Sequence, residues 1–220
     1  DAVPQPPLAQ GLLVRTALAG TIGLMWAVVL GYLAGSVPFA YLLARRAGVD
    51  VRVAGSGNVG AANVLRTAGT WRGISVMLLD VAKGMAAVAL AQVTSSGPAV
   101  PAVSGAAAIV GHIYPVWLRF HGGKGVAVAA GVFGMLTPGA TAIVAALFLA
   151  TVGATRYVSL GSLAASIALP PIAWLTGAPG AVVSAAAGTA VLIVFRHRGN
   201  LRRLLAGTER RMGRRAVDAA

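Results

Sequence analysis

The sequence predicts an all-α integral membrane protein: a seven-transmembrane-helix bundle with short or bent helices, its N-terminus outside and its C-terminus cytoplasmic. Three observations carry that expectation. Hydrophobic residues make up 57% of the 220 residues and charged residues only 10%, with a mean hydropathy of +0.80, whereas soluble domains carry about a quarter charged residues. The apolar residues fall in runs close to the length that crosses a bilayer, about 20 residues. The basic residues gather in alternate connections between those runs. The excess of 18 Lys+Arg over 5 Asp+Glu would by itself suit nucleic acid. Clustering between apolar runs excludes that partner. The absence of cysteine excludes a disulfide framework, a thiolate zinc site and a cysteine nucleophile. Abundant glycine (29 residues) suits helices packed closely in lipid.

The elements follow in order. The first span, 22–43, contains Gly31, Gly35 and Pro38, so a bend is expected near its end. A polar, glycine-rich loop occupies 44–72. The second span, 73–93, carries Asp80 and Lys83, and the third is 100–118. After the loop 119–125 comes a short apolar piece, 126–136, about 16 Å long at 1.5 Å per residue. Thr137-Pro138-Gly139 signals a turn. Further spans are expected over 140–154, 160–175 (with Pro170-Pro171 near its end) and 181–195, the last two joined by a turn at 176–180. No internal repeat is evident. Residues 1–21 form an N-terminal extension, 22–195 the transmembrane domain and 196–220 a basic tail. The stretch 12–29 does not read as a cleaved signal, because its apolar run continues into the first span.

Seven spans with the N-terminus outside put sixteen of the 18 basic residues on the inner side; Arg15 lies outside and Lys83 within a span. The outer turns carry neither Lys nor Arg. Joining 126–154 into one span would break this asymmetry, which the positive-inside rule requires.

The chemistry-bearing clusters share the inner face. Residues 55–66 read Gly-Ser-Gly-Asn-Val-Gly-Ala-Ala-Asn-Val-Leu-Arg. Glycines that expose backbone N–H groups, with Ser56, Gly57, Asn58, Gly60 and Asn63, can form an anion-binding nest. Arg66 can grip phosphate with two N–H groups. A solvated connector is the plainer reading of Gly-Ser-Gly-Asn alone. The lack of Asp and Glu from 51 to 79 favours the anion site. His121-Gly122-Gly123-Lys124-Gly125 precedes an apolar segment and suits an oxyanion cradle at a helix N-terminus. It lacks Walker spacing, and a basic membrane-edge turn is the bland alternative. In the stretch 195–203, His197 and Asn200 share a helix face, while the arginines serve equally as topology signals touching anionic lipid. Asp80 and Lys83, three apart within a span, form an ion pair or meet substrate. His112 is a buried hydrogen-bonded histidine or a proton carrier. Arg156 and Ser159 make a fourth polar site.

Together Ser56, Arg66, Lys124, Ser159, His197 and Asn200 predict an inner-side pocket for one or two phosphate-bearing ligands. Three histidines, no cysteine and few acidic residues near them suit a metal site poorly, and a Ser-His-Asp triad lacks a carboxylate in an obvious orienting position.

These clusters, in their order, resemble the bacterial acyl-phosphate:glycerol-3-phosphate acyltransferases, the PlsY family. The matching stretches are 55–66; 75–84 with Asp80-Val81-Ala82-Lys83-Gly84; 111–125 opening on Gly111-His112-Ile113-Tyr114-Pro115; 156–160; and 196–209. The likeness covers about residues 24–209. Two positions depart from the family pattern: Ala62 stands where threonine is usual, and His121 where lysine often precedes Gly-Gly-Lys-Gly. The resemblance implies seven spans, a bacterial plasma-membrane location and an active site facing the cytoplasm. It implies acyl transfer from acyl phosphate to the 1-hydroxyl of glycerol 3-phosphate, giving lysophosphatidic acid and phosphate, without a cofactor. Ser56, Arg66, Lys124, His197 and Asn200 are then the expected catalytic residues. Gly57, Asn58, Gly60, Asn63, Gly122, Gly123, Gly125 and Ser159 would bind phosphate, and Asp80, Lys83, His112 and Arg156 would support them. Acyl phosphate, glycerol 3-phosphate and membrane lipid are the expected partners. No protein partner is indicated. The rival readings are a transporter of phosphorylated or lipid anions and an inactive lipid-binding relative.

Overall fold

A computed structural model describes the backbone of residues 7–95 and 97–213, with side chains from Gly20 onward. The described residues contain helices and no strand. Most of the expected extension's side chains, Arg15 included, and residues 214–220 of the tail lie outside the described set.

Helix α1 (Pro7–Ser36) breaks at Val37-Pro38 and resumes as α2 (Phe39–Arg45). Proline cannot donate to the helical ladder and disfavours helical geometry at the residue before it. The loop 46–60 leads into a seven-residue helix, α3 (Ala61–Thr67), within the stretch expected to be irregular. Then follow α4 (Thr70–Thr94) and α5 (Ala99–Ile113), a short 3-10 turn (Val116–Leu118), α6 (Val126–Leu136), α7 (Pro138–Thr155) and α8 (Val158–Leu175). Last are α9 (Gly180–Arg196) and α10 (Arg198–Leu205), bent by 58° about His197.

Among the described residues, five segments are long and apolar enough to cross a membrane, or six if the α9–α10 pair counts as one. Helix α6, with 11 residues, falls short of that length. Proline at the first position of α7 needs no N–H there, which explains why the expected turn is already helical at Pro138. Helix α8 absorbs Pro170 and Pro171 in its interior.

Small residues set the packing. Helix α1 lies along α5, and α4 along α6. A Cβ on Gly35 would run into the backbone of Ala108, and one on Gly131 into the backbone of Val81. Between these helices sits a core of Val88, Ala108, Ile109, Val128, Val132, Phe133 and Ile193. A second cluster, Ala40, Ala44, Val51, Val59, Val64 and Val76, clamps the glycine-rich loop and α3 against α2 and α4. That burial turns a polar connector into a defined surface.

Because backbone occupies the space beside Gly35, Gly35→Val should destabilise the α1–α5 contact by about 1–3 kcal/mol, the usual range for overpacking. Thermal unfolding in detergent checks this; an unchanged midpoint would contradict the close helix approach.

Candidate active site

The loops at one end of the bundle enclose a cavity of about 1220 Å³. Its polar wall comes from four places. Residues 55–63 and Arg66 supply the first part, and Asn63 explains its shape. Fully buried, Asn63 donates from Nδ2 to the carbonyls of Val51 (3.1 Å) and Ala54 (3.0 Å), and its Oδ1 accepts from Ser56 N (3.0 Å). A Cβ on Gly55, where φ is +65°, would strike that same Oδ1. The amide of Asn63 is therefore spent on folding the loop, leaving Ser56, Asn58 and Arg66 along the wall.

The second part is the stretch Gly122, Lys124 and Gly125. Gly122 N and Gly123 N donate to the carbonyls of Ile113 and His112, each at 3.1 Å. Gly125 adopts φ +89° and opens α6, whose start no side chain caps. Gly125, Val126 and Ala127 line the cavity. The unshared N–H groups of a helix start, with the helix dipole behind them, attract anions.

The α9–α10 bend supplies the third part, and the fold-back of the tail the fourth. Lys124 Nζ donates to Asn200 Oδ1. Asn200 Nδ2 donates to Glu209 Oε1 (2.6 Å), which also accepts from Ser159 Oγ (2.9 Å), while Glu209 Oε2 accepts from Arg203 Nε (2.7 Å). The tail is tied down by Met212 N donating to the Arg156 carbonyl (2.7 Å) and Arg211 Nε to Tyr157 Oη (3.1 Å). Burial works to raise the Glu209 carboxyl, but hydrogen bonds from Asn200, Arg203 and Ser159 hold it below its ordinary value. Glu209 was not among the residues singled out from the sequence. Its signal was present: the one carboxylate among the arginines of 196–215.

His197 is buried, with Nδ1 2.9 Å from the carbonyl of Ile193. Burial first, then the nearby Lys124 charge, hold it down to about 4. The imidazole is thus neutral at physiological pH. With Nδ1–H donated to Ile193, Nε2 keeps a free lone pair.

Of the other expected residues, Gly57, Gly60, Asp80 and His112 also line the cavity. Gly123 lies behind the wall, against the His112 imidazole. Lys83 is buried beside Asp80, with Nζ 2.9 Å from Oδ1. Arg156 is an exposed left-handed residue (φ 64°) ending α7, away from the cavity wall. Arg196, Arg203 and Arg210, weighed from sequence as topology signals, are in the wall. The lining from α6, α7 and α8 is mainly apolar, with Phe133, Val144, Phe148 and Leu169 beside the hydroxyls of Thr141, Ser162 and Ser166. The cavity therefore joins a cationic mouth to a greasy interior.

The class this defines is an all-helical integral membrane protein with a chamber suited to amphiphilic anions. The chain belongs to the glycerol-3-phosphate acyltransferase family, whose model matches residues 25–207. It is 47% identical over 186 residues to the glycerol-3-phosphate acyltransferase of Myxococcus xanthus (strain DK1622), covering 84% of this chain and 97% of that one. It is 46% identical over 198 residues to that of Methylorubrum extorquens (strain PA1), covering 90% and 96%. Two crystal structures of PlsY (YgiH), an integral membrane glycerol 3-phosphate acyltransferase, share the fold at 40% identity. Its glycerol 3-phosphate form superposes with a TM-score of 0.83, over 86% of this chain and 96% of that one. Its lysophosphatidic acid form gives 0.80, over 86% and 95%.

Burial, foremost, together with neighbouring arginines lowers Lys124 to about 8. A lysine lowered in this way is cationic below that pH and neutral above it. Binding of inorganic phosphate should therefore weaken as pH rises through about 8. In Lys124→Arg, whose guanidinium stays charged, that alkaline loss should vanish. Calorimetric titration across pH 6–10 reads both; an unchanged alkaline limb in the variant would remove Lys124 as its source.

Proposed function

We propose that this protein transfers a fatty acyl group from acyl phosphate to the 1-hydroxyl of glycerol 3-phosphate, releasing lysophosphatidic acid and phosphate. The observation that carries this is the union, in one cavity, of a cationic mouth and an apolar interior. Acyl phosphate is already activated, so no covalent enzyme intermediate is needed. The protein's work is to hold two mutually repelling anions together and align hydroxyl with carbonyl. Lys124 and the start of α6 at Gly125 hold one phosphate, with Gly122 beside them and Gly123 bracing the loop from behind the wall. Ser56, Gly57, Asn58, Gly60, Arg66 and Ser159 complete the polar shell, with Asn63 shaping it. In this reading Lys124 and Asn200, hydrogen-bonded to each other and to Glu209, donate to charge developing on the carbonyl oxygen. The substrate's fatty chain occupies the apolar interior.

In the transfer, the hydroxyl oxygen bonds to the acyl carbon and the bond from that carbon to the phosphate oxygen breaks. The hydroxyl proton goes to the departing phosphate. His197, with Nε2 free, is the competing acceptor. Glu209 is the poorer acceptor: against the effect of burial, hydrogen bonds from Asn200, Arg203 and Ser159 hold its carboxyl below its ordinary value.

We further propose that α6 counts as a short seventh span, with the N-terminus outside and the cavity mouth facing the cytoplasm of a bacterial cell. The division into 1–21, 22–195 and 196–220 goes with that topology. Arginine in alternate connections supports it. The chain has no cysteine, so single cysteines report sidedness directly. A thiol reagent that cannot cross the membrane should label Ser95→Cys in intact cells and label Arg119→Cys only after lysis. The reverse pattern would invert the topology.

Purified protein given palmitoyl phosphate and glycerol 3-phosphate should release phosphate only when both are present, and Lys124→Ala should abolish release. No release from folded wild type would return the reading to transport or to an inactive relative. Turnover near wild type in His197→Gln would leave the departing phosphate as proton acceptor. A loss of about 100-fold or more would favour His197, on the usual scale of general-base catalysis.

A further inference from the structure

We infer that Asp80, Lys83 and His112 form a buried positioning network that fixes the His112 imidazole, protonated on Nε2, as the brace behind the glycine–lysine loop. The inference rests on the reading of that loop as a phosphate site.

Four contacts converge on Lys83. Its Nζ lies 2.9 Å from Asp80 Oδ1 and 3.1 Å from His112 Nδ1. It donates to the Val37 carbonyl at 2.9 Å, and it lies 5.7 Å from the centre of the Phe39 ring. The Val37 carbonyl has left the helical ladder because α1 breaks at Pro38. The network thus joins that break to α4 and α5. An ammonium beside a carboxylate has hydrogens to give and no lone pair to accept with, so His112 Nδ1 must be the acceptor. In a neutral imidazole the proton then sits on Nε2.

The far edge of that imidazole meets the loop. A Cβ on Gly123 would collide with His112 Nε2. The backbone of the same histidine accepts from Gly123 N at 3.1 Å. On the other side, Arg196 donates from Nη2 to the Gly122 carbonyl at 3.3 Å and lies over the Tyr114 ring. The loop is held between these two supports, one residue from Lys124. A buried ion pair is weak evidence for stability, since apolar groups of similar volume often serve as well. The geometry points instead to orientation. Lys83 is absent from the cavity lining, so it acts through His112 and not on a ligand.

Histidine-selective ¹⁵N labelling reads the tautomer without any activity measurement. The chain has 3 histidines, and His112 is assigned by the signal lost in His112→Phe. An unprotonated Nδ1 and a protonated Nε2 are expected; a protonated Nδ1 would overturn the network. The second arm uses Asp80→Asn/Lys83→Met, which removes both charges and leaves no buried ion unpaired. Wild type, Lys124→Gln and this double variant are titrated calorimetrically with glycerol 3-phosphate and with inorganic phosphate. The double variant should fold and should weaken, by about tenfold, the same ligand that Lys124→Gln weakens, the scale usual for support residues behind a site. Wild-type affinity in the double variant, beside a weakened Lys124→Gln, would overturn the inference. So would failure of the double variant to fold, which would make the network a folding element. If Lys124→Gln binds both ligands normally, the loop's phosphate role fails, and the tautomer result stands apart from it.

Discussion

An excess of fixed positive charge in a partly enclosed chamber is the constraint on which the rest of the structure depends. Arg66, Lys124, Arg196, Arg203 and Arg210 share one wall, with Glu209 and Asp80 as the acidic residues among its lining. Away from bulk water, like charges repel far more strongly than at a solvated surface. Lys124 carries the mark of this, lowered to about 8 by burial and by its arginine neighbours against the pull of Glu209. A dianionic ligand entering the chamber would relieve the repulsion, so attraction and orientation of such a ligand would share one cause.

Glu209 makes such a wall compatible with folding. It accepts from Ser159, Asn200 and Arg203, and thereby joins the start of α8, the α9–α10 bend and the folded-back tail. Its effect on Lys124 passes through the Asn200 amide, which turns its oxygen to the ammonium and its NH₂ to the carboxylate. One carboxylate therefore sets the direction of two donors at the cavity. A carboxylate touching Lys124 directly would compete with the substrate for it. Placed one side chain back, it orients without neutralising.

The spans were legible because lipid imposes a length and an apolar content that the chain displays openly. The short 126–136 segment was read with the limits α6 has, since Gly125 and Thr137 bracket it. The break at Pro38 was legible for the same local reason. The helix α3 was not, because its order comes from Asn63 and the buried Val51, Val59 and Val64, contacts that exist only after folding. Helix α1 begins at Pro7, well before the expected span, because 12–21 is apolar enough to continue the same helix. Ser56, Arg66, Lys124, His197 and Asn200 were legible as polar groups on one face. Glu209, which accepts from Ser159, Asn200 and Arg203 and not from a histidine, was not legible, because it arrives through a tail fold-back that no local pattern announces.

The same breaks that shorten the helices create the site. An intact membrane helix keeps its backbone groups to itself, and only an interruption frees them for other use. Val37 leaves the ladder and anchors Lys83. The start of α6 leaves N–H groups without a side-chain cap beside the cavity. The α9–α10 bend turns Asn200 toward Lys124 while His197 stays tied to Ile193. Each interruption costs intrahelical hydrogen bonds: Lys83 meets the freed carbonyl of Val37, whereas the N–H groups at the start of α6 stay without a side-chain cap beside the cavity. Straightening α9 into α10 would recover local bonds and carry Asn200 away from Lys124.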